Sequence, residues 1–142
     1  GREFNVSILG NINPRVLPIS EIIFEFSEEP KIVDYLAKWF IESEEYKKTI
    51  PTCPTKLEPE IKDIVELTAL QVHQALNCRD YSRIDIRLKG EVPYVLEANP
   101  NPDISPNSGF ARSLRAAGIS FEEFIKKIIC FALERKCSQK FY

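Results

Sequence analysis

The sequence predicts an α+β fold in which an antiparallel sheet is flanked by helices. Three observations carry this. Two stretches have hairpin patterning, each a pair of strand-like runs joined by turn residues. Three later stretches carry helix-boundary residues or apolar residues at helical spacing. The resulting order, β-β-loop-α-β-β-loop-α-α, keeps strands beside strands. The length of 142 residues suits one domain, and a chain of that size buries roughly 70% of its extended surface.

Glu3 to Leu9 alternates, with Glu3, Asn5 and Ser7 on one face and Phe4, Val6 and Ile8 on the other, as a half-buried strand does. Gly10-Asn11-Ile12-Asn13-Pro14 is turn chemistry, and Val16 to Phe24 supplies the second strand of a hairpin. Between Glu25 and Pro59 the pattern breaks up. Glu28-Glu29-Pro30, the segment Asp34 to Trp39 and the prolines 51, 54 and 59 mark a long functional loop or linker. Pro59 then sits near the first turn of a helix reaching about Asn77, with Ile61, Ile64, Val65 and Ala69 on its buried face. A second hairpin joins Tyr81–Leu88 to Pro93–Ala98 around Gly90. A short helix is expected from near Asn107-Ser108 to Gly118. Ser120-Phe121-Glu122-Glu123 is a capping box, with Ile119 and Phe124 as a hydrophobic staple. The last helix runs on to about Lys136, its core face carried by Phe121, Ile125, Ile128, Ile129 and Ala132.

Composition excludes several functions. Lys+Arg 19 against Asp+Glu 21 leaves a net charge of -2, without the basic excess of a general nucleic-acid or membrane-surface binder. A hydrophobic share of 44% excludes a disordered chain. No apolar run approaches the roughly 20 residues of a membrane span, and no signal-peptide pattern opens the chain. Cys53, Cys78, Cys130 and Cys137 form no CxxC pair, which argues against a zinc-thiolate site. Cys78 and Cys130 read as small buried hydrophobes, and reduced thiols in a cytoplasm are the expectation. His73, in the middle of a helix, reads as structural. Methionine is absent even at residue 1, which points to Gly1 as a cut end.

The second hairpin carries the chemistry. In Arg83-Ile84-Asp85-Ile86-Arg87 the charged residues share one face, and on the return strand Glu97 and Asn99 share one. Pairing Asp85 with Glu97 sets Lys89 against Pro93 and leaves a three-residue loop, Gly90-Glu91-Val92. Arg83, Asp85, Glu97 and Asn99 then cluster. Two carboxylates and an amide oxygen are hard ligands of the kind magnesium takes beside substrate phosphates. The arginine fork suits a phosphoryl group or a carboxylate. A solvated polar face laced with Arg–Asp pairs is the bland alternative. The loop Asn99 to Gly109, with prolines at 100, 102 and 106, leads into a helix N-terminus. Ser108 and the amides there suit a carboxylate or phosphate, or serve simply as a cap.

Arg83-x-Asp85, then Glu97-x-Asn99-x-x-Pro102, with Ser108 at a helix start, resembles the C-terminal part of D-alanine–D-alanine ligase and its ATP-grasp relatives. The resemblance extends over essentially the whole chain. Gly1-Arg2-Glu3-Phe4-Asn5-Val6 with Leu9-Gly10 is similar to the strand of the nucleotide-binding glutamate. Asp34-Tyr35 with Ala37-Lys38-Trp39 resembles the flexible active-site loop, and Leu76-Asn77-Cys78 through Arg83 resembles the helix-to-strand entry.

The resemblance implies a C-terminal ATP-grasp subdomain over 1–142, with 25–59 as mobile active-site loop and linker. It implies ATP and two magnesium ions, with manganese as an alternative. Glu3 would hold the ribose hydroxyls, Leu96 would line the adenine pocket, and Lys38 would reach the γ-phosphate. Asp85, Glu97 and Asn99 would bind the metals, with Glu97 bridging. Arg83 would stabilise the acyl phosphate and the tetrahedral intermediate, and Ser108 with the Gly109 amide would take the second substrate's carboxylate. Core packing is the alternative for Leu96 and a solvated charge for Lys38. The implied reaction joins a small carboxylate and an amine in the cytoplasm, as in peptidoglycan synthesis, with no nucleic-acid or membrane partner. The implied enzyme also has an N-terminal substrate domain and a central subdomain, and the family dimerises largely through those parts. Where the family usually has glycine after the loop proline, this chain has Asp103, which favours a related carboxylate–amine ligase of unassigned substrate. A non-catalytic nucleotide-binding or interaction domain that kept the fold is the competing reading.

Overall fold

The alternation from Arg2 to Leu9 builds the central strand of the sheet. The computed structural model describes residues 1–25, 31–33, 40 and 42–138. In chain order it contains β1 (Arg2–Leu9), β2 (Arg15–Val16), β3 (Ser20–Phe24), α1 (Glu44–Lys47), β4 (Thr49–Thr52) and α2 (Pro59–Ala75). There follow β5 (Tyr81–Lys89), β6 (Val92–Asn99), α3 (Gly109–Ala116) and α4 (Phe121–Ser138). The sheet runs β4-β3-β1-β5-β6, with β2 paired to β1 off that path, and every pairing is antiparallel. The α+β class with a helix-flanked antiparallel sheet is what forms. Among the described residues, no helix is long and apolar enough to cross a membrane.

Two cores hold the sheet. On one face, Phe4, Val6 and Ile8 of β1 meet Ile84, Ile86 and Leu88 of β5, and α2 closes the layer with Val65 and Ala69. Pro59 opens α2 where a missing N–H costs nothing. His73 is structural: it is buried, and its Nδ1 lies 2.7 Å from Ser82 Oγ on β5. A second core joins Leu9 and Leu17 to Phe110 and Leu114 of α3 and to Phe124 of α4. There the Tyr81 ring meets Phe110 and Phe124 edge-on, both at 5.4 Å. The other face of β1 and β5 gives Leu9 and Tyr81 to this second core and carries polar side chains along the rest of its length, with the start of α3 set against them.

Several details differ from the sequence expectations. The strand expected over Val16 to Phe24 is two strands, because Pro18, between them, has no N–H for a ladder. The range 25–59 contains α1 and β4 as well as loop. β4 tolerates Pro51 because, among the described residues, it is an edge strand paired to β3 alone. α2 ends at Ala75 rather than near Asn77, which adopts a left-handed φ of 51°. The last helix is rotated from its predicted face. Its capping box forms as expected, with Glu123 N–H donating to Ser120 Oγ at 3.2 Å and Ser120 N–H donating to Glu123 Oε2 at 2.8 Å. The staple seats Phe124 beside Ile119, so Phe124, Ile125, Ile128 and Phe131 face inward. Phe121 and Ile129 are each 54% exposed, Ala132 is exposed, and so is Cys130, while Cys78 is half-buried.

The β5–β6 hairpin sets Asp85 against Glu97 and Arg83 against Asn99, the register expected. The turn is tighter than expected, because Lys89 faces Val92 rather than Pro93 and the loop is Gly90-Glu91, with Gly90 at φ 61°. A bulge absorbs the difference. Glu97 faces Asp85 and Val95 faces Ile86, so Leu96 is the extra residue.

Candidate active site

Three strands contribute their polar faces to one cluster. Across β1 and β5, Glu3 stands opposite Arg87, Asn5 opposite Asp85 and Ser7 opposite Arg83. Because side chains repeat with period two, all six point the same way, and β6 adds Glu97 and Asn99 beside them. Arg83 grips Asp85 with both ends of its fork, Nε to Oδ1 and Nη2 to Oδ2, each at 2.8 Å. Its Nη2 also lies 3.4 Å from Glu97 Oε1. Asn5 Nδ2 donates to Asp85 Oδ1 at 2.8 Å, and Asn99 Nδ2 donates to Glu97 Oε1 at 2.8 Å.

The cluster opens into a cavity of about 650 Å³ whose lining includes Glu3, Asp85, Arg83, Leu96, Glu97 and Gly109. The bulge leaves Leu96 53% exposed at its edge. The start of α3 closes another side. A Cβ built on Gly109 would stand 3.6 Å from Asn5 Oδ1, 3.7 Å from an Arg112 guanidinium nitrogen and 3.9 Å from Arg83 Cδ. Ser108 caps that helix, its Oγ accepting the Ala111 N–H at 3.2 Å.

Burial pushes the Asp85 carboxyl above its ordinary pKa, and the facing Glu97 adds to this, while Arg83 and Asn5 pull against it. Burial also works against the Arg83 charge. Hydrogen bonding and attraction from Asp85, with the charges of Glu97 and Asp103, outweigh it and hold the guanidinium above its ordinary value. Buried Asp85 and exposed Glu97, facing one another and both held by Arg83, form a place that favours added positive charge. Hard divalent cations fit that donor set. Among the described residues, no three His, Cys, Asp or Glu side chains gather into a metal cluster; the donor set here is Asp85, Glu97 and the Asn99 amide.

The structure thus brings Glu3, Arg83, Asp85, Leu96, Glu97 and Gly109 to one cavity, with Asn99 bonded to Glu97 and Ser108 next to Gly109 in the chain. Lys38, with Asp34, Tyr35, Ala37 and Trp39, lies outside the described residues. Asp103 turns its carboxylate into its own loop, accepting Ser105 N–H at 2.8 Å and lying 2.9 Å from Ser105 Oγ. Asn77 and Asp80 are the residues other than glycine with positive φ among those described, so position 103 makes no conformational demand for glycine.

Sequence reasoning missed three neighbours. Asn5 and Arg87 share the alternating face of Glu3 and Asp85, and that period was the signal available. Arg112 follows Ser108 by one helical turn. Its Nε is buried without a partner, one terminal nitrogen donates to Asn107 O at 2.6 Å, and burial lowers its pKa, aided by Arg115 and Arg83.

Known proteins share this arrangement of elements. The chain is 35% identical over 136 residues to the D-alanine–D-alanine ligase of Carboxydothermus hydrogenoformans, a match covering 94% of this chain and 41% of that protein. It is 34% identical over 137 residues to the uncharacterized protein y4sG of Sinorhizobium fredii, covering 95% of this chain and 39% of that one. The crystal structure of the D-alanine–D-alanine ligase from Bacillus anthracis complexed with ATP superposes with a TM-score of 0.75 at 27% identity. That superposition covers 98% of this chain and 40% of the other, so the chain spans about two fifths of these relatives. The fold is that of the C-terminal part of these ATP-grasp ligases. The family model described as D-ala D-ala ligase C-terminus matches residues 1–130, and the chain belongs to that family.

Proposed function

We propose that this chain supplies the nucleotide- and metal-binding part of a cytoplasmic ligase that joins a small carboxylate substrate to an amine through an acyl phosphate. The observation that carries this reading is Arg83 held between Asp85 and Glu97, with Asn99 bonded to Glu97, in a cavity that Glu3 also lines. Glu3 accepts the ribose hydroxyls of ATP and Leu96 lines the adenine pocket. Asp85, Glu97 and Asn99 would hold magnesium, or manganese, which when bound neutralises charge on the phosphates.

The chain's own residues then do the positioning. A carboxylate oxygen of the first substrate attacks the γ-phosphorus and ADP leaves, giving an acyl phosphate. The amine of the second substrate attacks the acyl carbon, loses a proton, and inorganic phosphate leaves. Arg83 offers its planar fork to the phosphoryl oxygens and to the oxyanion of the tetrahedral intermediate. Lys38 would meet the γ-phosphate. The Ser108 hydroxyl donates to the second substrate's carboxylate while still accepting the Ala111 N–H, since a hydroxyl does both. The Gly109 N–H is one of the helix's unpaired amides and suits the same group. No protein nucleophile is required.

Thermal unfolding with ATP tests the reading. Saturation at 100 times Kd adds about 2.7 kcal/mol of stability, or several degrees in Tm for a chain of this size. The shift is expected with magnesium and ATP together, and is expected to vanish with EDTA and in Asp85→Asn. A wild-type chain that shows no magnesium-dependent shift would sink the proposal.

A further inference from the structure

Arg87 is a charge that the proposed chemistry leaves unused. It stands directly across from Glu3 in the β1–β5 ladder, and its Nη1 donates to Glu3 Oε2 at 2.6 Å. Its guanidinium carbon lies 5.4 Å from the centre of the Phe24 ring. Both partners are withdrawn from solvent, with side-chain exposures of 20% for Arg87 and 10% for Glu3, and both line the cavity that holds Asp85 and Leu96.

A carboxylate that receives two neighbouring hydroxyls must present its oxygens in a set plane. Glu has three torsions to fix before it can do so, and each ordered torsion costs entropy. A short, charge-assisted bond from a guanidinium held over an aromatic ring fixes them in advance. That bond leaves acceptor capacity on the carboxylate, because each oxygen has about two lone-pair sites. We infer that Arg87 is a positioning residue for the nucleotide's ribose, orienting the Glu3 carboxylate for the 2′- and 3′-hydroxyls. This rests on the reading that Glu3 receives the ribose.

The test measures equilibrium binding of ATP, 2′-deoxy-ATP, 3′-deoxy-ATP and inorganic triphosphate, each with magnesium. It uses the wild-type chain, Arg87→Met, Arg87→Lys, Glu3→Gln and the Glu3→Gln/Arg87→Met double variant. Hydrogen bonds to charged groups are strong enough that the wild type should prefer ATP over either deoxy analogue by roughly 10-fold. Arg87→Met is expected to cut that preference to about 2- to 3-fold, with triphosphate binding unchanged, and Arg87→Lys to restore part of it. In the Glu3→Gln background, Arg87→Met should change the preference no further, because it acts through Glu3. A merely structural role would lower Tm and weaken all four ligands equally. Arg87→Met retaining the full preference overturns the inference alone. Arg87→Met lowering the preference equally without Glu3 overturns the link between the two residues. A wild type indifferent to the ribose hydroxyls overturns the ribose reading, and the inference with it.

Discussion

Asp85 is contested from three sides. Arg83 binds both of its oxygens, Asn5 adds a third bond, and Glu97 faces it with like charge. Any group inserted there meets a carboxylate already aligned by its neighbours, which is how preorganised sites avoid reorganisation during a reaction. Ser108 combines the cap it forms with the substrate contact proposed for it. As a helix cap, its loss to alanine is expected to cost about 1 kcal/mol in urea unfolding, and Ser108→Asp should recover most of it. Stability unchanged in Ser108→Ala would show that the bond to Ala111 contributes nothing. If the reading of the site holds, Ser108→Asp should still bind the second substrate poorly, because it caps the helix but places a negative charge where a hydroxyl donor stood.

Where α2 meets β5, burial sets a pH dependence. His73 is held below its ordinary pKa of 6.5 by desolvation. The unfolded chain therefore binds a proton near pH 6.5 that the folded chain refuses until lower pH, so folding weakens as pH falls through that window. The urea midpoint should fall between pH 7.5 and 5.5, and the fall should be smaller in His73→Gln. An equal slope in the variant would exclude His73 as the source. Helix and strand identity was legible where one rule dominated: period two in Glu3–Leu9 and Arg83–Arg87, and the Ser120–Glu123 box at the start of α4. The pairing of Asp85 with Glu97, one register that alternation permits, also forms, and with it the polar cluster of Asp85, Glu97 and Asn99. β4 was not legible, because Thr49-Ile50-Pro51-Thr52 carries a proline that only an edge position excuses. The face of α4 was misread because several rows of its apolar residues could face inward, and the choice was made by Phe124 packing on Ile119. The bulge at Leu96 left no local mark; it follows from reconciling a two-residue turn with the pairing of Asp85 and Glu97.

At the scale of the molecule, the polar cluster and the core of α3 and α4 share one side of the sheet, while the α2 core lies on the other. Relatives of the chain are more than twice its length. If the remaining groups come from outside this chain, it should bind magnesium-ATP weakly and release no phosphate from it, with or without a panel of amino acids. Steady phosphate release by the purified chain, above that of an Asp85→Asn control, would contradict this. The two borders of the sheet, β4 and β6, raise a separate matter. Open strands invite copies of a protein to add to one another, backbone to backbone, into growing polymers. Pro51 removes a donor from one border, and the extra residue at Leu96 twists the other out of line. The irregularity that shapes the mouth of the cavity beside Glu97 therefore also discourages strand-by-strand self-association along that border.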